Sequence, residues 1–227
     1  MNHPLNNPAW NALNTGNKSV ALGNEKAKFY QPEVSLFTGM PQSTTENFDE
    51  LYKLTPDDGF FGYVSMEPME IPAPWKIIQP MECYQMVCEG DVIERKSADA
   101  TLVPLTTENV PAMLALTKLT NPGPFSTRTI ELGHYRGIFD GDKLVAMAGQ
   151  RMNPTPYAEI SAVCTHPHHL GKGYAAQLLI YQARRIKAAG EIPFLHVLTT
   201  NTRAISVYES LGFMIRKKVV IYGIKKS

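Results

Sequence analysis

The sequence predicts an α/β fold, a sheet flanked by helices, and three stretches carry that prediction. Residues 159–213 read as a strand, a glycine-bearing turn, a long amphipathic helix, a second strand and a short helix. Residues 134–148 read as a β-hairpin that turns through Asp140, Gly141 and Asp142. Residues 101–117 supply a strand and a helix ahead of that hairpin. The first stretch organises the rest.

At 227 residues the chain has room for one domain and a partial second, and 44% apolar residues suffice for a core. Twenty-two basic against 21 acidic residues leave a net charge of +1. With no basic block or acidic tail, neither nucleic acid nor a membrane surface is expected as a partner. No run of about 18 apolar residues and no signal-peptide pattern occurs, so a cytoplasmic protein is expected. Cys83, Cys88 and Cys164 are odd in number, unclustered and set in strand-like runs, which reads as buried apolar filler.

The opening is rich in asparagine and proline. Residues 18–29 are expected to form a short helix, and residues 48–54 have helical apolar spacing. Pro68, Pro72 and Pro74 then break the chain. Residues 75–78 and 83–88 read as two strands separated by residues 79–82, and residues 94–99 as a polar hinge. A boundary near Ala98 divides an N-terminal extension, residues 1–98, from a working domain, residues 99–227. That domain begins with a strand at 101–105 and a helix at 107–117. A proline loop at 121–124, a short helix over 125–132, hairpin strands at 134–139 and 143–148 and a final strand at 214–225 complete it.

Residues 159–165 alternate and are β-branched, residues 166–173 are a proline- and glycine-marked turn, and a helix starts at Gly173. Gly171 and Gly173 allow positive φ and close approach of a ligand to the backbone. The helix they open leaves its first N–H groups without intrahelical partners, so a pyrophosphate placed there gains hydrogen bonds and the positive end of the helix dipole. Lys172 adds charge. The helix sets Ala175, Leu178, Leu179, Gln182 and Ile186 on one side and stops at Gly190. The strand 192–198 ends at Thr199, Thr200 and Asn201. In the following helix Ala204, Val207, Tyr208 and Leu211 share a face before Gly212.

Through residues 168–175 (His-His-Leu-Gly-Lys-Gly-Tyr-Ala) and 201–213 (Asn-Thr-Arg-Ala-Ile-Ser-Val-Tyr-Glu-Ser-Leu-Gly-Phe), the chain resembles the GNAT superfamily of N-acetyltransferases. The resemblance covers residues 99–226 and is closest to the branch that shares its C-terminal half with glycine N-acyltransferase-like proteins. It implies a mixed, mostly antiparallel twisted sheet with a V-shaped splay between two central parallel strands. It also implies acetyl-CoA as donor, and an N-terminal half that is either a degenerate copy of the same fold or an irregular, acceptor-facing extension. The superfamily usually has Arg or Gln three residues before the first glycine, where this chain has His168.

Amine acetylation needs a place for the amine's proton, a donor for the developing oxyanion and a proton for the departing thiolate. Glu159 opens the central strand and, by alternation, shares a face with Ser161, Val163 and Thr165, which makes it the candidate base, although an acidic residue at a strand start is equally often just solvated or ion-paired. By resemblance, Tyr208 protonates the thiolate, although a tyrosine on an apolar helix face also suits a core. Asn201 resembles the asparagine that bonds the pantetheine arm and is equally a sensible helix N-cap. Backbone groups of Ala162, Val163, Cys164 and Thr165 are expected to hold the pantetheine like an added strand. Leu170, Gly171, Lys172, Gly173, Tyr174 and Ala175 are expected at the pyrophosphate, and Ala204 beside Tyr208. Arg128, His134, Tyr135 and Arg151 lie in elements that line the acceptor side of related enzymes, where an Arg fork could grip a carboxylate; ordinary surface charge explains them equally well.

A metal site built from Cys164, His166, His168 and His169 is not expected, because strand alternation and Pro167 separate their directions. A dinucleotide-binding enzyme should carry an acidic residue at the end of the second strand, where this chain has Thr199, Thr200 and Asn201. The expected activity is transfer of an acetyl group to a primary amine of a small molecule, amino acid or peptide by direct attack in a ternary complex. The alternative is a catalytically silent acyl-CoA-binding or interaction module on the same fold.

Overall fold

A computed structural model describes residues 3–93 and 99–227 and builds both halves of the chain into one sheet. The expected boundary at Ala98, and all of the polar hinge except Asp99, lie outside the described residues.

The first half opens with a 3₁₀ turn at Pro4–Asn6 and helix α1 (Pro8–Asn14), which begins on a proline whose missing N–H costs nothing at that position. The short helix expected over 18–29 is instead a 3₁₀ turn, Lys18–Val20, followed by strands β1 (Ala21–Gly23) and β2 (Lys28–Tyr30). Its physical cause is the turn between the strands. Gly23 takes φ +108°, and Asn24 Oδ1 accepts from the amides of Lys26 and Ala27, which bends the chain into a hairpin. Strand β3 (Phe37–Gly39), helix α2 (Thr45–Leu54), strand β4 (Phe60–Ser65) and strand β5 (Lys76–Val87) follow. The two strands expected at 75–78 and 83–88 are therefore one. Over 76–81 strand β5 is paired on one side only, with the last strand, and there Pro80 is tolerated without an N–H to donate.

The second half contains strand β6 (Val103–Pro104), helix α3 (Val110–Thr120) and a 3₁₀ turn at Thr129–Leu132. Strands β7 (Arg136–Asp140) and β8 (Lys143–Gln150) form the expected hairpin, and β9 (Tyr157–Thr165) the central strand. Helix α4 (Tyr174–Ala188), strand β10 (Ile192–Leu198), helix α5 (Thr202–Ser210) and strand β11 (Met214–Lys225) complete it.

The sheet order is β1-β2-β3-β4-β11-β5-β10-β9-β8-β7-β6, mixed and mostly antiparallel, with parallel contacts at β3–β4 and β9–β10. Strand β5, from the first half, lies between β10 and β11. Parallel pairing of β9 with β10 is brief: Ile192 faces Tyr157, Pro193 faces Ala158 and Phe194 faces Glu159. Beyond Phe194, β10 follows β5 to Leu198 while β9 follows β8, so the two strands part in the expected V.

Two bulges re-aim side chains at this centre. Between β8 and β9 the register slips between the pairs Met147–Cys164 and Gly149–Ser161, and Ala162 takes φ +52°. Before the bulge the even-numbered Ala158 and Ile160 pack with Leu179 and Ile186 of α4. After it the odd-numbered Val163 packs on α4, while Ala162 and Cys164 turn to Met113 and Leu116 of α3. This corrects the alternation expected from sequence, because Glu159 does not share a face with Val163 and Thr165. The second bulge, between Ile215 and Lys217 on β11, sets Arg216 out of register.

Candidate functional site

The V opens into a cleft of about 440 Å³ walled by the end of β9, the start of α4 and one face of α5. At its mouth Gly171 and Gly173 both have φ +81°, a conformation that costs a side-chain-bearing residue but not glycine. A Cβ added at Gly171 would meet no atom within 4 Å, so the backbone there borders open space. Gly173 is the N-cap of α4 and has no side chain to satisfy the helix's first amides. Those N–H groups and the positive end of the helix dipole form an anion seat.

Of the residues expected at the donor, Val163, Cys164, Thr165, Leu170, Gly171, Gly173, Tyr174, Ala175, Asn201, Ala204 and Tyr208 line this cleft. Ala162 and Lys172 do not. Ala162 is turned by the bulge into the core beneath α3, and the Lys172 ammonium lies 5.9 Å from the ring centre of Tyr174. His169, Ala176, Leu179, Arg203 and Val207 line it without having been expected. Helical spacing could have found Leu179, one turn beyond Ala175 and Ala176, and Val207, on the face of Ala204 and Tyr208. No sequence signal marks Arg203. His169 stacks on Tyr174 (ring centres 6.4 Å apart, planes 23° apart), and its Nε2 lies 2.9 Å from Oδ2 of Asp140 at the end of β7.

The wall chemistry fits a pantetheine-bearing diphosphate. The Thr165 hydroxyl is buried without a hydrogen-bond partner at the cleft, where an extended amide chain would supply one. Asn201 Oδ1 accepts from the Ala204 amide at 3.2 Å, so the residue caps α5 while lining the cleft. Tyr208 packs on Phe213, ring centres 6.2 Å apart, and burial pushes its phenol up to about 12, which keeps it protonated across the neutral range. Burial likewise pushes the Cys164 thiol up to about 11, with Thr120 and the Met147 backbone countering it only in part.

Glu159 lies outside this cleft. It is wholly buried, with Arg151 Nε 2.8 Å from Oε2 and Arg151 Nη2 2.6 Å from Oε1. His196 Nδ1 is 2.7 Å from Oε1, and the Met152 amide donates to Oε2 at 3.3 Å. Burial alone would raise this carboxyl. The charge and hydrogen bonds of Arg151, then those of His196, outweigh it and hold the group at about 2. Saturated oxygens and so low a pKa make it a poor acceptor of an amine proton, which weighs against the expected base role. Hydrogen bonds also fix the neighbouring imidazole. Gln85 Nε2 donates to Leu5 O and to His196 Nε2, both at 3.1 Å, while Gln85 Oε1 accepts from Arg216 Nη1 at 2.8 Å. His196 therefore carries its proton on Nδ1, directed at Glu159.

The four residues expected on the acceptor side do not form one group. Arg128 is exposed and held by Glu131 through Nε (2.6 Å) and Nη2 (2.8 Å). His134 is exposed, its pKa lowered by partial desolvation and by Arg185 and Arg136. Tyr135 is buried beneath α3, its hydroxyl donating to Gln150 O at 3.1 Å. Arg151 serves Glu159 and stacks 4.5 Å from the ring centre of Phe37.

No curated protein matches the sequence. The family described as FR47-like protein matches residues 135–221. A crystal structure described as an acetyltransferase from the GNAT family of Novosphingobium aromaticivorans is 32% identical, covers 100% of both chains and superposes with a TM-score of 0.91. A GCN5-related N-acetyltransferase from Kribbella flavida shares the fold at 15% identity, covering 95% of each chain with a TM-score of 0.64. From the likeness to the Novosphingobium protein along its whole length, the chain belongs to the GNAT family of acetyltransferases.

Proposed function

We propose that the protein transfers an acetyl group from acetyl-CoA to a primary amine of a small molecule, amino acid or peptide, by direct attack within a ternary complex. The observation that carries this reading is the continuous cleft that runs from the uncapped start of α4, past the end of β9, to Tyr208 on α5. The amides of Gly173–Ala176 receive the diphosphate, and Asn201 and the backbone of Val163–Thr165 hold the pantetheine. The bulge at Ala162 takes backbone N–H groups out of the β8 ladder, and one of them receives the carbonyl oxygen as it becomes an oxyanion. As the nitrogen–carbon bond forms and the carbon–sulfur bond breaks, Tyr208 gives its proton to the sulfur and regains one from solvent. With Glu159 saturated, the amine enters neutral and its remaining proton leaves to water, so rate should rise with the acceptor's own deprotonation. A thiol held at about 11 makes Cys164 a poor acyl carrier, which supports direct transfer.

The test is calorimetric titration with CoA, followed by release of free thiol from acetyl-CoA against a panel of amino acids, polyamines and peptide N-termini. Failure to bind CoA sinks the reading. Binding with no thiol release from any amine leaves the silent acyl-CoA-binding module.

A further inference from the structure

We infer that Glu159 and His196 form a wedge that sets where β9 and β10 part, and so positions the pantetheine arm without touching it. The inference rests on the proposal that CoA occupies the cleft. Glu159 is the last residue of β9 paired with β10, opposite Phe194. His196 lies two residues further along the diverging arm, and its ring reaches back to Glu159 at 2.7 Å. The bond thus ties the moving-apart strand to the last closed step. It lies on the face away from α4, since Ala158 and Ile160, the neighbours of Glu159, are the residues that pack there.

Both halves of the wedge are held from their own flank. Arg151 grips Glu159 from the β8–β9 connection through two hydrogen bonds. Gln85, the cross-strand partner of His196 on β5, holds its Nε2. Gln85 is in turn fixed by Arg216, which the bulge on β11 sets out of register. Side chains from β9, β10, β5 and β11 therefore converge on one hydrogen-bonded line, with Glu159 and Gln85 wholly out of solvent and Arg216 at its half-buried end. A closed sheet would be served at lower desolvation cost by apolar residues. Charge-assisted bonds at 2.6–2.8 Å, which hold geometry more tightly than packing does, suit a site where strand separation has to be set. Glu159 and His196 are positioning residues.

The experiment compares binding of CoA with binding of adenosine 3′,5′-bisphosphate, which lacks the pantetheine arm, in the wild type, His196→Leu and His196→Asn. Bisphosphate affinity should stay within about twofold in all three proteins. CoA affinity should fall about tenfold in His196→Leu, the scale of one buried hydrogen bond, and recover to within about threefold in His196→Asn, whose amide nitrogen can stand where Nδ1 stands. If His196→Leu does not fold, His196→Gln, which reaches Gln85 but not Glu159, replaces it with the same expectation. Unchanged CoA affinity in the variant overturns the wedge, as does equal loss of both ligands. A wild type that binds neither ligand sinks the cofactor reading, and the wedge with it.

Discussion

Arg151 and Glu159 meet through two hydrogen bonds, Nε to Oε2 at 2.8 Å and Nη2 to Oε1 at 2.6 Å, with the carboxylate fully out of solvent. Removing one partner leaves a buried charge uncompensated, so Glu159→Ala should cost about 3–5 kcal/mol, and Arg151→Met combined with Glu159→Leu distinctly less. The pH dependence follows from the depressed carboxyl. Stability from Glu159 is fully present above the ordinary value near 4.5 and is lost as pH falls from there toward about 2. Chemical unfolding between pH 7 and pH 2.5 should show this loss in the wild type and its absence in the double variant. A rate limb near neutral pH that disappears in Glu159→Gln would return the base role to this residue.

Tyr208→Phe tests the acid. The phenol lies on the cleft wall and is held protonated by burial, so removing its oxygen should lower kcat by about 10²–10⁴ while CoA affinity stays within about twofold. Since Tyr208 titrates only near 12, it should contribute no limb to the wild-type profile between pH 6 and 9. An unchanged kcat removes Tyr208 from the chemistry.

The donor side of the site was legible because it is local. Two glycines before a helix specify an anion seat within one turn, and the 3.6-residue period of α5 brings Ala204, Val207 and Tyr208 to one wall. What was hidden depends on partners far away in sequence. Ala162 has no side-chain preference for positive φ, and its bulge is fixed by pairing with β8, so simple alternation put Glu159 on the wrong face. The surroundings of Glu159 come from β10, β5 and the β8–β9 connection, and no spacing rule joins Gln85 to His196. Insertion of β5 between β10 and β11 is a matter of tertiary pairing, to which residues 76–87 give no local clue.

Gly173→Glu should abolish binding of both CoA and adenosine 3′,5′-bisphosphate. Its carboxylate would occupy the seat at the start of α4 and repel the phosphates, and a side chain at φ +81° adds strain of about 1–2 kcal/mol. Calorimetry that finds retained affinity in the folded variant would move the phosphate site elsewhere.

Direct transfer and transfer through an acyl-enzyme differ in what the protein carries when no amine is present. The one thiol on the cleft wall belongs to Cys164. Burial, only partly offset by Thr120 and the Met147 backbone, pushes it to about 11, and its side chain packs toward α3 with Met113 and Leu116. At pH 7.5 so little thiolate exists that attack on a thioester should not compete with a bound neutral amine. Intact mass spectrometry of protein incubated with excess acetyl-CoA alone should therefore show the unmodified mass. Initial rates against both substrates should give intersecting rather than parallel double-reciprocal lines. An acetyl adduct on Cys164 that forms as fast as turnover would replace the ternary complex with a two-step mechanism.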